Sequence, residues 1–96
     1  MTPTRLARMS PAAQAWYLAE IAYISERNPD AAAKISRMIR AARQTLADYP
    51  KIGPPGRSPG TRRMVVGPYV LTVRLRRGET ETIHIRHGRQ TDKSKE

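Results

Sequence analysis

Two proline-led helix starts set the frame of this chain. Ser10-Pro11 and Asn28-Pro29 each put a side-chain oxygen that can accept from free backbone amides ahead of a proline. The proline's fixed φ and missing N–H suit the first helical position. The first start predicts a helix from Pro11 to about Arg27, with Ala15, Leu18, Ile21, Ala22 and Ile24 recurring at helical steps. The second predicts a helix from Pro29 to Asp48, where Ile35, Met38, Ile39, Ala42, Leu46 and Tyr49 form one apolar face. Lys34, Arg37, Arg40, Arg43 and Gln44 take the other. So short a link forces the two helices to lie antiparallel as a hairpin. A chain of 96 residues supports one domain and one modest core, not two lobes with a cleft between them.

The second half reads as a meander. Arg62–Val66 is a strand, Gly67-Pro68 a tight turn, Tyr69–Arg76 a second strand, Arg77-Gly78 a hairpin turn, and Glu79 or Thr80 to His87 a third strand. In the middle strand Tyr69, Leu71, Val73 and Leu75 face one way, and Val70, Thr72, Arg74 and Arg76 the other. One face packs on the helices and the other is basic. Residues 4–9 are expected to form a short first strand. The stretch "PKIGPPGRSPG" (50–60) is an irregular connector bringing Arg57, Arg62 and Arg63 near the sheet. Residues 1–90 form the domain, and 91–96 a frayed polar tail.

The net charge is +10, with cations outnumbering acids eight to four up to Gly56 and ten to four after it. The whole body therefore attracts polyanions. Without cysteine there is no disulfide frame or thiolate metal site, and no apolar run approaches a membrane span, so a cytoplasmic protein without membrane contact is expected. His84 and His87, three apart on a strand, point to opposite faces and do not share a metal. The serines and carboxylates are scattered, which leaves no triad or paired-carboxylate mechanism. RNA cleavage by its own 2′-hydroxyl asks less of a protein, and Arg63, Arg74, Arg86, His87 and Arg89 supply the residue types it needs.

In order and spacing, these pieces resemble the RelE/ParE superfamily of type II toxin-antitoxin toxins. The resemblance rests on Ser10 to Ala13, Asn28-Pro29-Asp30-Ala31-Ala32, Tyr49-Pro50-Lys51-Ile52-Gly53, Gly67-x-Tyr69 and His87-Gly88. It implies an α+β fold in which a helical hairpin packs on a small antiparallel sheet, in the order β-α-α-β-β-β. Ribonuclease members carry an arginine directly after the turn tyrosine, where this chain has Val70. They also end in an added basic residue, a His-Tyr pair or a late catalytic tyrosine, where it has Gly88-Arg89-Gln90. The ParE branch is matched by Arg62 or Arg63, Val66-Gly67-Pro68-Tyr69, Arg74 and His87-Gly88. Trp16 and Tyr17 depart from that branch, which commonly has an acidic residue near the apolar run of the first helix.

The ParE resemblance implies a toxin that inhibits DNA gyrase by binding and is not an enzyme, with no cofactor and no metal. The target would meet Arg62, Arg63, Arg74, Arg86, His87 and Arg89, with indirect DNA contact. A cognate acidic antitoxin would neutralise it in a toxin–antitoxin hetero-oligomer, anchored on Trp16, Tyr23 and Ile24. The alternative is a RelE-like ribosome-dependent mRNA endoribonuclease using Arg63, Arg74, His87 and Arg89.

Overall fold

The two caps form as the sequence predicts. Ser10 Oγ accepts from the Ala13 amide, and Asn28 Oδ1 accepts from the Ala31 amide, both at 3.1 Å. Asn28 also closes the preceding helix through its own N–H, which donates to Ile24 O at 2.7 Å. One asparagine thus ends one helix and starts the next. The computed structural model describes residues 5–88. Its elements are β1 (Arg8–Met9), α1 (Pro11–Arg27), α2 (Pro29–Asp48), β2 (Thr61–Val66), β3 (Tyr69–Arg76) and β4 (Glu79–His87). Arg89 and the 91–96 tail lie outside the described residues.

The sheet order is β1-β4-β3-β2. β2, β3 and β4 form the expected antiparallel meander, while β1 pairs with β4 in parallel, so the sheet is mixed. The connection from β1 to β4, through both helices and then β2 and β3, is long enough to permit that parallel pairing. Both turns need positive φ: Gly67 at 55°, then Arg77 at 52° and Gly78 at 78°. The last pair is the combination that matches the twist of a two-residue hairpin. Loop 53–56 folds back along the first half of β2, where Arg63 N donates to Pro54 O at 2.9 Å and Gly56 N to Thr61 O at 2.8 Å.

The core lies between α2 and the inner face of the sheet. Ile39, Ala42 and Leu46 bury against Val66, Tyr69, Leu71, Val73 and Ile85. Two expectations for the helices fail here. Tyr49 is 65% exposed, because α2 ends before it and the chain turns away. In α1, Ala15, Leu18 and Ala22 are exposed; Ala13 is buried, and Trp16 and Tyr17 pack on the core. Arg43, expected on the solvent side, is half-buried, and its Nε donates to Ala7 O at 2.9 Å, tying the N-terminal segment to α2.

Two buried threonines of β4 differ in a testable way. Thr80 Oγ1 donates to Leu46 O at 3.0 Å, satisfying a carbonyl at the end of α2 that has no helical partner. Thr82 Oγ1 is buried without a partner. Thr80→Val should therefore destabilise by about 1–3 kcal/mol, and Thr82→Val should stabilise by about 1 kcal/mol. Thermal melts of the two variants check both signs.

Candidate functional site

Residues paired across antiparallel strands share a face, so the register sorts the basic residues. Arg63 opposes Thr72, which opposes His84; Val65 opposes Val70, which opposes Arg86; Thr61 opposes Arg74, which opposes Glu81. These rows line the outer face, away from the helices. Arg63, Arg74 and His84 are exposed there, and Val65 is 69% exposed. Arg74 Nη2 sits 3.3 Å from Glu81 Oε1, a surface pair of small energetic weight. The result is a cationic face with an apolar spot at Val65 and Val70.

Two residues expected on that rim are elsewhere. Arg62 opposes Val73, on the inner side, and its Nη1 donates to Gly53 O at 2.8 Å. Its work is to hold the loop against β2. His87 opposes Tyr69 on the helix side. A bulge explains why: Thr72 pairs with His84 but Val73 pairs with Thr82, so Ile83 is an extra residue in β4. The bulge shifts the alternation. Thr80 and Thr82 face the core before it, Ile85 and His87 after it. His84 is left outside, so the two histidines do lie on opposite faces.

His87 joins a cluster around one carboxylate of α1. Glu20 Oε2 accepts from the Tyr69 hydroxyl at 2.8 Å and lies 3.0 Å from His87 Nε2. Trp16, one turn before Glu20, meets Tyr69 edge-on at 5.9 Å and His87 at 5.6 Å, and Tyr69 and His87 are 5.2 Å apart. Burial holds the Tyr69 phenol well above its ordinary range, reinforced by the hydrogen bond to Glu20 and that residue's negative charge, with Tyr17 adding a little. Sequence reading missed Glu20. The available signal was its place one turn after Trp16 on a nearly uncharged helix, together with the need of a buried tyrosine hydroxyl for a partner.

Of the residues named for RNA cleavage, Arg63 and Arg74 share the outer face, His87 lies across the sheet from them, and Arg89 is outside the described residues. Of the proposed antitoxin anchors, Trp16 is half-buried in the cluster, Ile24 is half-buried, and Tyr23 is 57% exposed with the Arg27 guanidinium 3.7 Å above its ring. Leu18, 56% exposed, is a second large apolar side chain that α1 leaves in solvent. A cleft of about 100 Å³ lined by residues including Arg5, Arg8, Glu79 and Thr80 opens at the start of β4, remote from this cluster. No helix among the described residues is long and apolar enough to cross a membrane.

Comparison with known proteins agrees with this architecture. Residues 7–91 match the family described as ParE toxin of type II toxin-antitoxin system, parDE. A protein of Sinorhizobium fredii (strain NBRC 101917 / NGR234) named "Putative toxin Y4kP" is 39% identical over 71 residues, covering 72% of this chain and 73% of that protein. With the helical hairpin, the meander and the family match in agreement, the chain belongs to the ParE toxin family of type II toxin–antitoxin systems.

Proposed function

We propose that this toxin inhibits DNA gyrase by binding it through the outer face of the sheet, and that a cognate antitoxin blocks it by covering α1. The observation that carries the reading is the placement of Arg63, Arg74 and Arg86 on one face, with Val70 at the position where ribonuclease relatives have an arginine. Such a face suits an acidic protein surface beside DNA: guanidinium groups orient the encounter, and a few desolvated ones hold the complex. Membership of the ParE family supports the same reading. Both proposed partners place the toxin in the cytoplasm, and neither requires a cofactor.

The ribonuclease reading needs a proton-transferring group and cations around one phosphate. Here His87 is turned toward Glu20, across the sheet from Arg63 and Arg74, which disfavours it. Two parallel reactions separate the readings: purified gyrase scored for supercoiling, and translating ribosomes scored for cut message. Lost supercoiling with intact message is the expected result. Cut message with normal supercoiling would falsify the proposal.

For the antitoxin, the exposed stripe of Ala15, Leu18, Ala19, Ala22 and Tyr23 is the better-placed part of α1, with Tyr23 as its aromatic anchor. Leu18→Asp together with Tyr23→Ala should weaken antitoxin binding by roughly a hundredfold, as expected when two central anchors are lost. Stability should barely change, because both side chains are already in water. Titration calorimetry and a thermal melt give the two readings.

A further inference from the structure

We infer that the outward ridge of α2, formed by Lys34, Arg37 and Arg40, is a second cationic surface that binds the phosphate backbone of duplex DNA. The inference rests on α2 alone and stands apart from the gyrase reading. Between its two ends α2 exposes Ala33, Lys34, Arg37, Arg40 and Ala41. The opposite side of the helix buries Ile39, Ala42 and Leu46 against the sheet. The ridge therefore faces away from the sheet, on the far side of the molecule from Arg63 and Arg74.

Three features argue for a partner. Among the described residues no side-chain hydrogen bond or ion pair engages Lys34, Arg37 or Arg40, and Asp30, one turn before Lys34, makes none with it. Each cation's ridge neighbour three residues away is another cation, so the arrangement works against helix stability. Among the described residues no ion pair offsets that repulsion, whereas a polyanion laid along the ridge would. The side chains also stand on a rigid 20-residue helix, spread over about 9 Å of its axis, a span that reaches on the order of three phosphates.

Chemistry selects the polyanion. An acidic protein partner needs an apolar or aromatic anchor at the centre of its contact. The ridge has none: among the described residues the exposed large apolar ones are Leu18, Tyr23, Tyr49, Ile52 and Val65, all outside α2. Single-stranded RNA is held by bases stacked on aromatic rings, and the ridge has no ring. What a bare row of ammonium and guanidinium groups on a straight helix does recognise is the regular phosphate line of a duplex. The hairpin thus offers two unlike outer surfaces, apolar on α1 and cationic on α2.

The test is fluorescence anisotropy of the full chain on a labelled duplex DNA of mixed sequence across a salt series. It compares Lys34→Gln/Arg37→Gln/Arg40→Gln with a charge-matched control away from both cationic faces, Arg8→Gln/Lys51→Gln/Arg77→Gln. Circular dichroism confirms that both variants fold. Contact by three cations predicts that the ridge variant's slope of log affinity against log salt becomes shallower by about 2 to 3, with the control close to wild type. Equal changes in both variants would reduce the effect to net charge and overturn the inference. So would absence of duplex binding by the wild type, tighter binding of single-stranded RNA than of duplex, or a ridge variant that loses a polyglutamate probe while keeping DNA.

Discussion

Replacing Glu20 by alanine will lower the melting temperature by about 10 °C. Its carboxylate is the partner of the Tyr69 hydroxyl, on a residue only 3% exposed, and of the His87 imidazole. Removing it leaves a buried phenol without an acceptor, and a hydrogen bond to a charged group is worth about 1.5–3 kcal/mol. For a domain of this size each kcal/mol shifts the midpoint by about 4–8 °C. Glu20→Gln keeps an acceptor and should lose about half as much. Tyr69→Phe in the Glu20→Ala background should cost less than in wild type, since the hydroxyl is already stranded there.

The same cluster fixes a pH dependence. Because the folded Tyr69 phenol ionises well above its ordinary range, the folded state keeps a proton that the unfolded chain gives up from about pH 10. The associated stability is complete below that pH and is lost as pH rises through the alkaline range. In the absorbance difference between wild type and Tyr69→Phe, phenolate should be missing at about pH 11 and appear only as structure is lost.

Arg63→Ala combined with Arg74→Ala will weaken binding to the proposed gyrase target by roughly a thousandfold, taking about 2 kcal/mol for each desolvated guanidinium. Folding should be nearly untouched. Arg63 is exposed, and the pairing of Arg74 with Glu81 is a surface ion pair, so the melt should stay within about 0.5 kcal/mol of wild type. Arg62→Ala should do the reverse, because its guanidinium secures Gly53: a lower melting point with much of the target affinity retained. That crossover separates binding from scaffolding in two adjacent residues of one strand.

How much of this could be read from the chain depends on which signals are local. Caps, helix bounds and both turns were legible because Ser10-Pro11, Asn28-Pro29, Gly67-Pro68 and Arg77-Gly78 act through their own backbone. The inner face of β3 followed from simple alternation. The bulge at Ile83 was not legible: Thr80 through His87 looks like an uninterrupted strand, yet one extra residue sends His87 to the helices and leaves His84 on the basic face. Glu20 was hidden for a related reason, since its partners Tyr69 and His87 are brought to it only by packing. In α1 the apolar stripe misled, because Ala15, Leu18 and Ala22 keep the period without entering the core. A helix apolar on more than one side does not reveal which side is inward.

The most direct test of the central claim, that this toxin grips its target and turns nothing over, is a titration of toxin into a fixed amount of purified gyrase during supercoiling. Inhibition that rises linearly and ends near one toxin per binding site, with cleaved DNA trapped on the enzyme and Arg63→Ala/Arg74→Ala inactive, is the predicted result. Supercoiling unaffected at large excess, while catalytic amounts of the toxin fragment ribosome-bound message, would contradict it.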